Sequence, residues 1–66
     1  MQIVVNGQPR AAAESVALPL LIEELKLGDR RVAVELNGAI VPRSAWPNTQ
    51  LADGDRLEIV HAIGGG

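Results

Sequence analysis

Two Asn-Gly dipeptides constrain the fold of this 66-residue chain more than any other local feature. Asn6-Gly7 follows residues 1–5 and Asn37-Gly38 follows residues 32–36, and in both segments apolar side chains alternate with their neighbours. Such alternation predicts half-buried strands. A type I′ turn needs positive φ at both central residues, which Asn and Gly adopt readily. The sequence therefore predicts two β-hairpins, with short return strands after each turn.

Between the hairpins the apolar period changes to that of a helix. Four apolar residues recur with helical spacing: Leu18, Leu21, Ile22 and Leu25. Pro19 fits only the first turn of that helix, where no intrahelical N–H is needed. Either Ser15 or Ala17 stands near the N-cap position. Gly28 is expected as the left-handed residue that ends the helix.

The rest of the chain adds one closing strand. Residues 43–50 are irregular, with a single helical turn predicted around Ser44 to Trp46. Asp53-Gly54-Asp55 predicts a third turn, after which Leu57 and Ile59 should face the core. The order strand, strand, helix, strand, short strand, strand predicts an α+β fold, a small mixed sheet packed on one main helix. We expect a β-grasp in which the first and last strands pair in parallel at the centre.

Size and composition exclude several classes of protein. Sixty-six residues form one domain, predicted over residues 1–63, followed by a flexible glycine tail at 64–66. There is no Cys, hence no disulfide, which fits a cytoplasmic protein. The longest apolar run, residues 16–22, is too short to span a membrane. A net charge of −2, scattered basic residues and a single aromatic residue argue against nucleic acid binding.

The side chains of the chain offer no legible active site. His61 is the only histidine, and no ligand spacing supports a metal site, so an ordinary strand histidine is expected. Asp53-Gly54-Asp55 lacks the later ligands of a calcium loop. Trp46 is interpreted as a packing aromatic whose indole N–H is satisfied at the surface. The sequence therefore predicts no catalytic residue, no metal and no bound cofactor.

The final residues Gly64, Gly65 and Gly66 are where chemistry could be directed. A glycine segment can lie extended in a slot too narrow for any side chain. A terminal carboxyl is ionised at neutral pH, and an ATP-dependent enzyme can convert it to an acyl adenylate. The other interpretation of the tail alone is a frayed end without function.

Longer segments resemble a known family. Residues 37–46, Asn-Gly-Ala-Ile-Val-Pro-Arg-Ser-Ala-Trp, and residues 51–66 resemble the ThiS family, the sulfur carrier proteins of thiamine biosynthesis. The opening Met-Gln-Ile-Val-Val-Asn-Gly also fits, so the resemblance spans essentially the whole chain. It implies a ubiquitin-like β-grasp fold and a protein that is acted on rather than an enzyme.

The resemblance also implies a reaction cycle. A ThiF-like adenylyltransferase would use ATP and magnesium to adenylate Gly66, with Gly64 and Gly65 in the narrow channel of that partner. A cysteine desulfurase or a rhodanese-type protein would supply sulfur to give a thiocarboxylate. Thiazole synthase would then take up the sulfur. The cofactors thus belong to the activating enzyme.

Docking is expected on the sheet face opposite the helix. Val4, Val60 and Ala62 are candidates for a small apolar contact patch there, or are incidentally exposed. Two related functions stay open: the small subunit of molybdopterin synthase and a carrier for tRNA thiolation. From another class, a non-carrier β-grasp binding module with an inert tail also stays open.

Overall fold

The computed structural model describes residues 1–27 and 31–61. In these ranges the elements are β1 (Gln2–Val5), β2 (Gln8–Ala11), α1 (Leu18–Glu24), β3 (Val32–Leu36), β4 (Ala39–Val41), a 3₁₀ helix (Arg43–Asn48) and β5 (Arg56–His61). The strands form one sheet in the order β2-β1-β5-β3-β4. β1 and β5 are parallel at its centre, and the other pairs are antiparallel. The predicted α+β β-grasp is confirmed.

Both predicted hairpins form with left-handed turns. Asn6 and Gly7 have φ of 52° and 81°, and Asn37 and Gly38 have φ of 52° and 89°. Positive φ at both central positions is the requirement of a type I′ turn, whose twist matches that of the flanking strands. The two turns point toward opposite ends of β5, because β1 runs parallel to β5 and β3 runs antiparallel to it.

The hydrophobic core lies between α1 and one face of the sheet. Its buried residues are Ile3, Val16, Leu18, Leu21, Ile22, Val34, Trp46, Leu51, Leu57 and Ile59. The predicted inward positions of the helix and of β5 are confirmed, except that Leu25 is only half-buried. The sequence pattern did not single out Val16 and Leu51, which belong to the core. A hydrogen bond of 2.9 Å joins them, donated by the Leu51 N–H to the Val16 carbonyl.

The start of α1 is capped by main chain from a distant segment. Ala17 is the N-cap and has no side chain that can accept a bond. The N–H of Leu18 instead donates to the Thr49 carbonyl at 2.9 Å, and Pro19 has no N–H to satisfy. Of the two residues predicted near the N-cap position, Ser15 and Ala17, the N-cap is therefore Ala17.

The end of α1 differs from the prediction. The helix ends at Glu24, and Lys26 has the left-handed φ of 62°. The N–H groups of Lys26 and Leu27 donate to the carbonyls of Glu23 and Ile22, which is a Schellman motif. The prediction that Gly28 ends the helix is wrong, because the chain reverses two residues earlier and packs Leu27 against the core. Gly28 itself lies outside the described residues.

The irregular segment is more regular than predicted. Its 3₁₀ helix spans six residues rather than a single turn. Trp46 is buried, as expected of a packing aromatic, but its Nε1–H donates to the Val41 carbonyl at 3.0 Å rather than being satisfied at the surface. The Arg43 guanidinium lies 4.8 Å from the centre of its ring. Trp46 thereby joins this segment to β4. Within the described ranges, the helices are too short or too polar to cross a membrane.

Candidate functional site

The face of the sheet opposite α1, called the open face below, carries an outward set of side chains. Strand alternation that turns Val34, Leu57 and Ile59 into the core turns their neighbours outward. The open face consists of Val4, Pro9, Ala33, Glu35, Ile40, Arg56, Glu58 and Val60. Two shallow depressions lie on it, and Arg56 and Glu58 line both. This surface surrounds β5, the strand that leads to the predicted tail.

Large apolar side chains are exposed on the open face. Val60 is 57% exposed and Ile40 is 70% exposed. Ala33 pairs directly with Val60, and Ile40 on the next strand pairs with Glu35. The sequence pattern found Val60 but missed Ile40 and Ala33, because only the register between strands makes them neighbours. The Ala33–Val60 pair and Ile40 therefore lie in adjacent rows of the open face.

Val4 lies apart from the Ala33–Val60 pair. It is half-buried and pairs with Arg56, four residues before Val60 on β5. At about 3.3 Å per residue the separation along the strand is about 13 Å. The structure thus places Val4 and Val60 on the same face but two rows apart. Ala62, Gly64, Gly65 and Gly66 lie outside the described residues.

Two carboxylates lie between the apolar residues. Glu35 and Glu58 are directly opposite each other on β3 and β5. Like charges in this arrangement repel and destabilise the sheet. Arg56 is the nearest basic residue of the open face, yet the ion pairs of the described part of the chain are elsewhere, at Arg10–Glu24 and at the amino terminus. In the described part of the chain, neither carboxylate is therefore within ion-pair distance of a basic side chain.

The end of β5 is held on both sides. Its last residues pair with β3, as Val60 does with Ala33 and His61 with Val32. On the other side the side-chain amide of Asn6 bonds Ile59, accepting from its N–H at 2.7 Å and donating to its carbonyl at 3.1 Å. His61 is exposed, as expected of a strand histidine at the exit of the sheet. Across residues 1–27 and 31–61, no three His, Cys, Asp or Glu side chains are grouped to hold a metal ion.

Comparison with known proteins places this geometry in a family. The ThiS family profile matches residues 3–66. The sulfur carrier protein ThiS of Escherichia coli K12 is 33% identical over 66 residues, which cover all of both chains. The crystal structure of the thiamine biosynthesis protein (ThiS) from Geobacter metallireducens has 39% identity and a TM-score of 0.88, again over the full length of both chains.

A second kind of relative is much longer. The thiazole synthase of Paramagnetospirillum magneticum is 46% identical over 66 residues, which cover all of this chain but only 20% of that protein. The thiazole synthase of Magnetococcus marinus shows the same coverage at 39% identity. The chain thus spans about a fifth of the length of these relatives, in which a homologous segment is part of a longer polypeptide.

Proposed function

The chain belongs to the ThiS family, and from this premise we propose that it carries sulfur as a thiocarboxylate on Gly66. As a member of that family it is a sulfur carrier protein of thiamine biosynthesis and not a catalyst. The observation that carries the proposal is the family match over residues 3–66, which includes the glycine tail as well as the folded domain.

The proposed chemistry has two steps. In the first, a carboxylate oxygen of Gly66 attacks the α-phosphorus of ATP, forming the acyl adenylate and releasing pyrophosphate. In the second, a sulfur nucleophile at the oxidation level of sulfide attacks the acyl carbon and displaces AMP. The product is a thiocarboxylate, in which one sulfur has replaced one oxygen. A ThiF-like adenylyltransferase supplies the ATP and magnesium site. A cysteine desulfurase or rhodanese-type protein supplies the sulfur as a protein persulfide, from which two thiols release sulfide as they are oxidised to a disulfide.

Glycines at the end of the tail suit this chemistry. A residue without Cβ lets the main chain pass through a channel that excludes side chains. Gly64 and Gly65 are proposed to lie in such a channel of the activating enzyme, so that only the carboxyl of Gly66 reaches the nucleotide. The folded domain then serves to dock and to present the tail.

The open face is proposed as the docking surface for the activating enzyme. Val60, Ile40 and Ala33 supply apolar contact, and Val4 extends it toward β1. The Glu35–Glu58 pair favours a partner that brings a basic side chain, because a cation there relieves the repulsion between the two carboxylates. Ala62 is proposed to contribute at the exit of the tail.

Thiazole synthase is proposed as the acceptor of the sulfur. Two relatives named thiazole synthase contain a segment homologous to the entire chain. Joining two proteins in one polypeptide raises the effective concentration of each near the other, which benefits partners that must meet. This supports an encounter between the separate chain and a thiazole synthase.

Intact mass spectrometry tests the carrier function directly. The chain is incubated with a ThiF-like adenylyltransferase, ATP, magnesium and sodium sulfide, and a parallel sample lacks ATP. We expect an ATP-dependent mass gain equal to the replacement of oxygen by sulfur, located by fragmentation at Gly66. An unchanged mass would refute the proposal and favour a non-carrier binding module with an inert tail.

The acceptor distinguishes the remaining functions of this class. Thiocarboxylated protein is mixed separately with thiazole synthase, with the large subunit of molybdopterin synthase, and with a tRNA-thiolating enzyme. We expect sulfur to be lost from the carrier only with thiazole synthase and its substrates. Loss with either of the other enzymes would assign the carrier to that pathway instead.

A further inference from the structure

The parallel pairing between β1 and β5 stops halfway along β5. It covers only Val4 with Arg56 and Val5 with Leu57. Beyond Val5 the chain reverses at the Asn6-Gly7 turn and leaves β5. β5 nevertheless continues to His61. The second half of β5 therefore loses its neighbouring main chain on the β1 side.

The side chain of Asn6 replaces that missing main chain. Along the ladder, the N–H of Val4 donates to the Asp55 carbonyl and the N–H of Asn6 donates to the Leu57 carbonyl, each at 2.9 Å. The next residue in this two-residue rhythm is Ile59, which in a continued parallel strand would bond a carbonyl and an N–H of β1. Its two partners are instead Oδ1 and Nδ2 of Asn6. One primary amide thus occupies the place of the next peptide group.

The place of Asn6 in the turn, directly after β1, allows it to do so. Asn6 has φ of 52°, and its short side chain reaches forward along β5 to Ile59, while the return strand begins at Gln8. The amide carries both an acceptor and two donors, so it satisfies both main-chain groups of Ile59. A hydrogen bond of this kind contributes about 0.5–1.5 kcal/mol net, and an unsatisfied partner costs more.

We propose that Asn6 is a positioning residue for activation of the tail. This inference rests on the proposed function, because it concerns the delivery of Gly66 to the activating enzyme. Gly66 lies seven positions after Ile59, a distance of at most about 25 Å when the chain is extended. Fixing Ile59 on both sides fixes the origin of that short arm relative to the open face. When the folded domain docks through the open face, the carboxyl group of Gly66 then reaches a defined distance from the nucleotide of the activating enzyme.

The chain offers a matched pair of variants. Asn6→Gly keeps positive φ at the turn and removes only the amide, since glycine adopts this conformation freely. Asn37→Gly makes the same change in the other Asn-Gly turn. The Asn37 side chain also makes two bonds, to the Asp55 carboxylate and the Arg56 N–H. Those bonds hold the start of β5 rather than its end. A merely structural role predicts equal effects of the two changes on activation.

Three measurements, hydrogen exchange, adenylation kinetics and thermal unfolding, distinguish a positioning role of Asn6 from a general effect on stability. Relative to the wild-type chain, Asn6→Gly is expected to speed hydrogen exchange of the Ile59 amide at least about tenfold. It should lower kcat for ATP-dependent adenylation by about tenfold, with KM for the carrier within about twofold, because docking is intact and orientation is lost. Asn37→Gly should lower the melting temperature by a similar amount yet leave kcat within about twofold of wild type. Asn6→Asp, which keeps the acceptor for the Ile59 N–H, should give an intermediate kcat.

Three outcomes would overturn the inference. Unchanged kcat in Asn6→Gly would show that the orientation of β5 does not matter. Equal losses of kcat in Asn6→Gly and Asn37→Gly would show a general effect of stability. Failure of the wild-type chain to be adenylated would overturn the proposed function, and this inference with it. The wild-type sample alone distinguishes that outcome from the first two, which require an active wild-type chain.

Discussion

Val60 gives the most direct test of the open face, because it is apolar and exposed. Its exposed fraction is 57%. Burying a whole valine side chain contributes about 1.5–3 kcal/mol, so covering the exposed part by a partner would contribute about 1–2 kcal/mol. Loss of that contact corresponds to an increase in Kd of about 5- to 30-fold.

Two substitutions at this position differ in strength. Val60→Thr keeps the branched Cβ and hence the preference for strand, but it replaces one methyl by a hydroxyl. We expect Kd for the activating enzyme to rise about fivefold. Val60→Asp adds a carboxylate two residues from Glu58, and an uncompensated charge buried at the interface costs about 3–5 kcal/mol. Its Kd should rise by more than about 100-fold.

Leu20 supplies the matched control. It is 54% exposed, but it is the third residue of α1 and points to solvent on the other side of the molecule. Leu20→Asp places a carboxylate in the first turn of a helix, where the dipole favours it. Its Kd should stay within about twofold of the wild-type value.

Isothermal titration with a ThiF-like adenylyltransferase measures Kd, and KM for the carrier in ATP-dependent pyrophosphate release gives an independent value. Thermal unfolding of each variant alone shows whether the fold is intact, and we expect Val60→Thr to melt within about 3 °C of wild type. Wild-type affinity in Val60→Asp would refute docking through the open face. If Leu20→Asp raised Kd as much as Val60→Asp does, exposed apolar area in general, and not the open face, would control binding.

Further substitutions at four positions test the tail, the charges and the core. Gly66→Ala should leave the melting temperature unchanged and slow adenylation by at least about 100-fold in a pyrophosphate-release assay; a wild-type rate would contradict a channel shaped for main chain. Glu35→Gln and Glu58→Gln should each raise the free energy of unfolding by about 0.2–1 kcal/mol, and denaturant titration of the double variant should show less than their sum; strict additivity would contradict repulsion between the pair. Leu57→Ala removes a side chain that is 0% exposed. It should lower the free energy of unfolding by about 2–5 kcal/mol and the melting temperature by at least about 8 °C. A shift below about 2 °C would contradict the central position of Leu57 in the core.

The elements that the sequence predicted well are those whose signals are local. A type I′ turn is decided by the φ preference of two adjacent residues, so Asn6-Gly7 and Asn37-Gly38 were read correctly. The inward side of β5 follows from its period of two, and Leu57 and Ile59 are buried as expected. The parallel pairing of the first and last strands is not a local feature, and it was predicted through the choice of a β-grasp for this order of elements.

The features that the sequence did not predict depend on contacts between distant segments. The N–H of Leu18 is satisfied by the carbonyl of Thr49, so no capping side chain was needed at Ala17. Alternation identified Val60 as outward, yet its neighbour Ala33 is set by the register between β3 and β5. The bonds of the Asn6 amide to Ile59 span 53 positions in sequence and had no local signal beyond the turn itself.

The two Asn residues show how a small domain without disulfides can hold a rigid origin for a tail. Each one sets the conformation of a turn, and each forms hydrogen bonds to β5 through its side chain. Asn37 bonds Arg56, and Asn6 bonds Ile59. β5 pairs with the main chain of β3 from Leu57 to His61 but with that of β1 only at its start, and the Asn6 side chain continues the restraint on that side as far as Ile59. A fixed origin limits the conformational entropy that binding must remove. Substitutions in the tail should therefore alter activation without altering stability, whereas Asn6 is the position at which local restraint and activation change together.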